Sequence, residues 1–160
     1  METAADFFKT AIYNEVKGAA FYNMAAEETE NDESRMLFLK LADMEDGHTL
    51  ELIRKAKNAP CGQGFDPEAY LKELESSMSS TISREEAAAI KKSDMPAVLQ
   101  MAIALERNAR DNYLNLANAA TNPEVRQHCQ VLAHEEEGHA KALENLLHSL
   151  EMTPDDRPGL

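Results

Sequence analysis

The chain has 160 residues and carries 29 acidic against 16 basic side chains, giving a formal net charge of −13 at pH 7. This charge argues against nucleic acid and anionic membranes as partners, because both repel an acidic surface. Hydrophobic residues make up 43% of the chain, which is enough for a single domain with a sizeable core. No segment approaches the ~20 apolar residues of a membrane span.

The cysteines and the first residues bear on the cellular compartment. The two cysteines, Cys61 and Cys129, form no C-x-x-C pair, which excludes a zinc or rubredoxin-type iron site built from cysteine. The opening stretch METAADFFKTAI carries an early acid and lacks an apolar run of signal-peptide length. We therefore expect a soluble cytoplasmic protein with reduced thiols.

Helical periodicity near the start of the chain predicts two long amphipathic helices. The first should run from about Ala4 to Glu28 and the second from about Glu33 to Lys57, because apolar residues recur every three or four positions in both. Each apolar stripe contains polar residues: Glu15 in the first, and Glu45 with His48 in the second. Three residues are about one helical turn (~5 Å rise), so Glu45 and His48 leave the same face.

The segment over residues 58–93 is typical of a long crossover that contains short helices. The pair Asp66 and Pro67 is a favourable helix start, and it predicts a short helix to about Met78. A capping-box pattern predicts a second short helix over Arg84–Lys92. A connection of this length can return the chain to the opposite end of a helical bundle.

The last two long helices repeat the pattern of the first two. The third should run from about Asp94 to Ala120, with Glu106 inside its apolar stripe. The fourth should run from about Pro123 to Leu150. Within it Glu136 and His139 are again three residues apart, so they also share one face.

The two halves of the chain are copies of one helical hairpin. With a shift of 91 positions they align without a gap, and 14 of the 46 positions from Phe8 to Ile53 are identical, where chance gives about three. The aligned pairs include Glu15/Glu106, Tyr22/Tyr113, Glu45/Glu136, Gly47/Gly138 and His48/His139. We divide the single domain into repeat 1 (about 4–57), the crossover (58–93), repeat 2 (about 94–150) and a tail (151–160).

Four amphipathic helices joined by a crossover indicate an all-α, ferritin-like four-helix bundle. Each helix places a carboxylate in its apolar stripe, and a buried ionised carboxylate is very unfavourable unless it is paired or binds a metal. Lys and Arg are missing from the four stripes near these positions, so two divalent cations are the natural counter-charges. Oxygen donors with one imidazole per metal suit iron or manganese and would also hold zinc. The predicted ligands are Glu15, Glu45, His48, Glu106, Glu136 and His139.

Two tyrosines follow the first and third of these glutamates by seven residues. Tyr22 and Tyr113 therefore lie two turns further along the same helix faces. One interpretation is a phenol that hydrogen-bonds a ligand carboxylate; the other is a core aromatic side chain whose hydroxyl is satisfied elsewhere. The sequence leaves both open, and no catalytic residue is predicted beyond the metal ligands.

These motifs make the chain resemble the rubrerythrin family of the ferritin-like superfamily over nearly its whole length. The resemblance implies a di-iron centre that hydrogen peroxide or O₂ oxidises, and in which peroxide is reduced with electrons from a partner protein. It also implies ligand roles: bridging for Glu45 and Glu136, and chelating for Glu15 with His48 and for Glu106 with His139.

Two departures from the family pattern affect the expected chemistry. Rubrerythrins carry an additional rubredoxin-like domain with two C-x-x-C pairs, and residues 1–160 contain neither pair, so the resemblance implies a separate rubredoxin-like electron donor. Rubrerythrins also carry a further glutamate three residues after the third-helix ligand, where this chain has Ala109; its repeat partner is Gly18. This second departure raises the weight of Fe(II) oxidation or iron handling relative to peroxidase turnover.

Two main functions remain open from the sequence. The first is an oxidoreductase, a di-iron peroxidase or ferroxidase that protects against oxidative stress. The second is a non-catalytic, ferritin-like iron-binding or storage protein. A di-manganese or hydroxylase-type enzyme and a metal-free helical interaction module are further alternatives. A homodimer is expected from the resemblance, whereas the native metal, the oxidant, the electron donor and any domain swapping stay open.

Overall fold

The computed structural model describes residues 4–58, 64–81 and 95–151. Helices account for 93% of these described residues, and no strand occurs among them. The predicted all-α fold class is therefore confirmed, and long paired helices are the components of a ferritin-like bundle. Within the same ranges, no helix combines the length and the apolar character that crossing a membrane requires.

The helix boundaries follow the sequence pattern closely. The described helices are α1 (Ala4–Glu28), α2 (Asp32–Asn58), α3 (Pro67–Thr81), α4 (Met95–Ala119) and α5 (Pro123–Glu151). The four long helices begin and end within one residue of the predicted positions, and α3 continues three residues beyond Met78. The short helix predicted over Arg84–Lys92 lies outside the described residues, as does the tail beyond Glu151.

The chain divides into two compact units, Met1–Lys92 and Ser93–Leu160. In the first unit α1 packs along α2, and α3 packs mainly on α1. In the second unit α4 packs along α5. Each unit thus contains one copy of the sequence repeat as a helical hairpin, and the expectation of one domain over residues 1–160 stays a prediction.

Repeated asparagines begin the second helix of each hairpin. Asn31 Oδ1 accepts a hydrogen bond from the Ser34 backbone N–H (2.9 Å), and Asn122 Oδ1 accepts one from the Glu124 backbone N–H (2.8 Å). The first N–H groups of a helix have no partner inside it, so a side-chain oxygen at this position stabilises the helix start. Helix capping therefore explains why this asparagine is identical in the two repeats.

Repeated arginines join the two helices of each hairpin at the turn. The Arg35 guanidinium donates to the backbone oxygens of Ala26 (3.2 Å) and Thr29 (2.6 Å), which lie at the end of α1. Arg126 donates in the same way to the Ala120 oxygen (2.7 Å), just beyond α4. Since the last carbonyls of a helix lack intrahelical partners and attract positive charge, each arginine stabilises the end of the preceding helix.

The predicted cap of α3 is present. Asp66 Oδ1 accepts hydrogen bonds from the backbone N–H groups of Glu68 (3.1 Å) and Ala69 (3.2 Å). The Tyr70 hydroxyl donates to the Lys9 backbone oxygen of α1 (3.3 Å). The start of α3 is thereby attached to the first hairpin near the N-terminal end of α1.

The predicted apolar stripes form most of the buried surface. Cys129 is fully buried and reduced, as expected for a small apolar residue. In α4, however, Ala109 and Leu116, which the helical spacing also assigns to the predicted stripe, are only half-buried, because they lie at the edges of the face that is centred on Glu106. The stripe of α1 is buried throughout, at Phe8, Ala11, Ile12, Ala19, Tyr22 and Ala26.

Candidate metal centre

The first hairpin brings Glu15, Glu45 and His48 together. Each offers one possible ligand atom, and these three atoms lie within 4.8 Å of one another. His48 Nδ1 lies 3.2 Å from Glu15 Oε2, although the two residues are separated by 33 positions in the chain. The one-turn spacing places Glu45 and His48 on one face of α2, and the packing of α1 on α2 adds Glu15. We name these residues triad 1.

The second hairpin repeats this arrangement with Glu106, Glu136 and His139. Their possible ligand atoms also lie within 4.8 Å of one another. His139 Nδ1 is 3.4 Å from Glu106 Oε1 and 3.7 Å from Glu136 Oε2. In both hairpins, therefore, the Nδ1 edge of the imidazole faces a carboxylate of the other helix. We name these residues triad 2.

All four carboxylates are almost completely removed from water. None of the four glutamate residues is more than 3% exposed. Moving an ionised carboxylate out of water is strongly unfavourable unless a positive charge and directed ligands replace the solvent. Carboxylate oxygens with one imidazole nitrogen are donors that iron and manganese accept. The donor set and its burial in each triad thus fit a divalent transition metal.

Basic side chains near triad 2 are engaged by other acids. Arg107 follows Glu106 directly in sequence, yet its guanidinium contacts Glu144 of α5 at 2.5 Å. Arg110 contacts Glu137, also at 2.5 Å, and this hydrogen bond lowers the pKa of the Glu137 carboxyl. These arginines were not singled out in the sequence, because pairing between two helices leaves no signal in the spacing along one helix.

The histidines of the two triads differ in their exposure to solvent. The His48 side chain is 16% exposed, whereas that of His139 is 5% exposed. In addition, a Cβ atom placed on Gly18 would lie 3.4 Å from Glu45 Oε2. The Glu45 carboxylate of triad 1 therefore lies close to the backbone of α1 at Gly18, where no side chain intervenes.

The two tyrosines are core side chains. Tyr22 is buried and stacks on Phe38, with 6.1 Å between ring centroids and 21° between ring planes. It also makes an edge contact with Phe21, at 5.7 Å between centroids. Tyr113 is fully buried. Their packing agrees with the core interpretation, and a role of their hydroxyls in orienting a ligand carboxylate stays a prediction.

Comparison with known proteins relates the second half of the chain to one family. Residues 97–158 match the family model described as Rubrerythrin. The matched stretch contains nearly all of α4 and the whole of α5, and therefore all three residues of triad 2. No curated protein and no solved structure matches the chain.

Proposed function

We propose that the chain is a rubrerythrin-like di-iron oxidoreductase, on the ground that residues 97–158, which contain most of the second hairpin, match the family model described as Rubrerythrin. Its substrates are hydrogen peroxide or O₂, and its reactions are the reduction of peroxide, the oxidation of Fe(II), or both. The observation that carries the proposal is the duplicated triad. Each hairpin holds two buried glutamates and one histidine whose possible ligand atoms lie within 4.8 Å.

The residues of the two triads are the proposed metal ligands. These six residues would hold the pair of irons, with Glu15 and His48 on one iron and Glu106 and His139 on the other. When bound in the di-ferrous form, the pair of irons supplies the two electrons that convert hydrogen peroxide to water. Manganese or zinc can replace iron in such a donor set, although zinc has no redox chemistry.

In this proposal the side chains of the triads bind the two cations and balance their charge, and the apolar side chains around them exclude water. The four glutamates bring four negative charges, which balance two divalent cations. His48 and His139 would each donate a ring nitrogen to a metal in the neutral imidazole form. The surrounding apolar stripes keep bulk water from the carboxylates, so that the electrostatic interactions inside the site are strong.

The first test is an anaerobic Fe(II) titration of metal-free protein, followed by peroxide and then O₂, with near-UV and visible absorbance as the readout. We expect a break at two irons per chain. Faster oxidation by peroxide supports a peroxidase, whereas faster oxidation by O₂ supports a ferroxidase or a storage protein. If iron does not bind stoichiometrically, the di-iron proposal is wrong.

A pair of variants on α2 makes this titration specific. Glu45→Gln keeps the size of a triad 1 side chain but removes its charge, so we expect it to abolish binding at two irons per chain. Glu51→Gln removes an exposed charge from the same helix, and it should titrate as the unmodified chain does. Equal iron binding by both variants would remove Glu45 from the site.

Iron storage is the second candidate function. It is favoured by Ala109 and Gly18, which leave the site without the further glutamate that peroxidase cycling in rubrerythrins implies. A storage protein should take up many more than two irons per chain and assemble into a shell near a 24-mer. A homodimer that stops at two irons would support the enzyme instead. A cytoplasmic location and a separate rubredoxin-like electron donor complete the proposal for the enzyme.

A further inference from the structure

A groove lies on the first hairpin between α1, α2 and α3. Its volume is about 370 Å³, which is the size of a pocket for a small molecule. Apolar and small side chains form most of its surface, and two carboxylates also line it. Its principal lining residues are Val16, Ala19, Leu50, Leu71, Asp46 and Glu75. We name this feature the first-hairpin groove.

The two acids of the groove come from different helices. Asp46 lies on α2 and Glu75 on α3, and both residues are exposed to solvent. In the part of the chain that the structure describes, neither carboxylate forms an ion pair or a hydrogen bond with a basic side chain. The groove therefore presents negative charge beside apolar surface, in a chain whose net charge is −13. Such a surface attracts a cation and repels an anion.

The second hairpin shows which group pairs with the equivalent acid. With the 91-residue shift of the repeat, Asp46 corresponds to Glu137 and Ala19 to Arg110. Arg110 Nη1 lies 2.5 Å from Glu137 Oε2. A guanidinium group thus occupies, in the second hairpin, the place that Ala19 leaves open beside Asp46.

Two more positions of the groove are apolar in the first hairpin and basic in the second. Val16 corresponds to Arg107 and Leu50 to Lys141, and the Arg107 guanidinium lies 3.8 Å from Glu137. The second hairpin therefore supplies its own cations at this face. The first hairpin keeps the acid and lacks all three basic side chains.

We propose that the first-hairpin groove binds a small alkylguanidinium cation, whose guanidinium group pairs with Asp46 and Glu75 as that of Arg110 pairs with Glu137. A guanidinium group can form two parallel hydrogen bonds with a carboxylate. The alkyl chain of the ligand lies on Leu50 and Leu71, as the stems of long basic side chains lie on apolar surface. This inference does not depend on metal binding.

The test is isothermal titration calorimetry of the purified full-length chain with agmatine, an alkylguanidinium that carries no carboxylate, at low ionic strength. We expect saturable binding of one agmatine per chain. The guanidinium ion alone should bind at least ~10-fold more weakly, because it has no alkyl chain to bury. N-acetylarginine methylamide represents an arginine side chain of a partner protein. It should also bind more weakly, because it lacks the second positive charge of agmatine.

Substitution of each acid tests its part in the site. Asp46→Asn and Glu75→Gln should each weaken agmatine binding at least ~10-fold, because each removes a charged hydrogen-bond acceptor. The matched control is Glu73→Gln, which removes an exposed acid of α3 that does not line the groove. This variant should bind agmatine as the unmodified chain does.

A third variant gives the first hairpin the side chain that the second one carries. Ala19→Arg places a guanidinium group in the groove, so it should abolish agmatine binding. Its control is Thr10→Arg, which adds the same charge at an exposed position of α1 outside the groove and should leave binding unchanged. Should Ala19→Arg fail to fold, the variants of the two acids still decide the outcome.

Four results would overturn the proposal. They are no saturable binding of agmatine, binding that Asp46→Asn and Glu75→Gln leave unchanged, equal binding by folded Ala19→Arg and Thr10→Arg, and tighter binding of N-acetylarginine methylamide than of agmatine.

Discussion

Each glutamate of the two triads is almost completely shielded from solvent. An ionised carboxylate at such a position destabilises the fold unless a cation or hydrogen-bond donors compensate its charge. In triad 1 the contact between His48 and Glu15 shows that the imidazole and the carboxylate already face each other. Metal binding depends on where each carboxylate oxygen lies relative to the other ligands, so a side chain that displaces one carboxylate should weaken it.

Gly18 is the residue at which this sensitivity can be tested. A Cβ atom there makes ordinary van der Waals contact with the Glu45 carboxylate, whereas the longer side chain of Gly18→Leu must displace it. We expect Fe(II) affinity to fall about 10- to 100-fold, as when the support of a metal ligand is lost. Gly138→Leu is the control, because the space at Gly138 is open. Equal affinity in the two variants would contradict the role of Gly18.

Cys129 provides a second prediction at this scale. Burial raises the pKa of its thiol from 9.0 to about 11, which lowers the reactive thiolate fraction at pH 8 about 100-fold. In a Cys61→Ser variant, we therefore expect iodoacetamide to label Cys129 at least ~100-fold more slowly in the folded chain than in urea. Equal rates in the two conditions would show that the thiol is accessible.

The same thiol predicts how stability depends on pH. Because the folded pKa is raised, the neutral thiol is favoured in the folded state, and its contribution is fully present below pH 9. That contribution is lost as the pH rises from about 9 to 11, where the unfolded chain ionises first. The free energy of unfolding should therefore fall over this window, and Cys129→Ala should flatten that fall. An identical pH profile in the variant would contradict the assignment.

At the scale of the helix, the hairpins are held at their turns by the repeated asparagine and arginine. Asn31 and Asn122 begin the second helix of each hairpin, and Arg35 and Arg126 bind the carbonyls that end the first. These contacts join residues that are close together in the chain, so they act at the turn itself. They give both hairpins the same short connection and hence bring each pair of helices into the same register.

The contribution of the two asparagine caps to stability can be measured by substitution. Asn31→Ala and Asn122→Ala each remove an acceptor for an N–H group at a helix start, and each should lower the free energy of unfolding of the metal-free chain by about 1 kcal/mol. Urea denaturation at pH 7 measures the change. Asn115→Ala, at an exposed position inside α4, is the control and should be neutral or slightly stabilising, since alanine favours helix. A similar loss in the control would rule out capping as the cause.

At the scale of the whole molecule, metal binding and folding should be linked. The triads exist only when the helices of each hairpin are packed, so a metal that binds them stabilises the folded chain. At a free metal concentration of about 1,000 times Kd, the expected gain is about 4 kcal/mol. Thermal unfolding should therefore shift to higher temperature with Fe(II) or Mn(II), and a chelator should reverse the shift. An unchanged Tm with metal present would contradict binding at the native triads.

The sequence by itself determined the helices and the residues of both triads. Periodicity and capping signals predicted α1 and the other long helices within one residue, because these signals are local and act along a single helix. The gap-free repeat singled out Glu45 with His48 and Glu136 with His139, since a spacing that occurs twice is unlike a chance pattern.

Only the tertiary structure decided which side chains of two paired helices contact each other. It brought Glu15 to within 3.2 Å of His48, placed Gly18 beside Glu45 and directed Arg107 to Glu144. These contacts join residues far apart in the chain, and they depend on how deeply each side chain is buried and on which partners meet it across a hairpin. The exposure of Met36, Leu39 and Leu50 on α2 was decided in the same way, because the spacing of apolar residues does not distinguish a covered helix face from an open one.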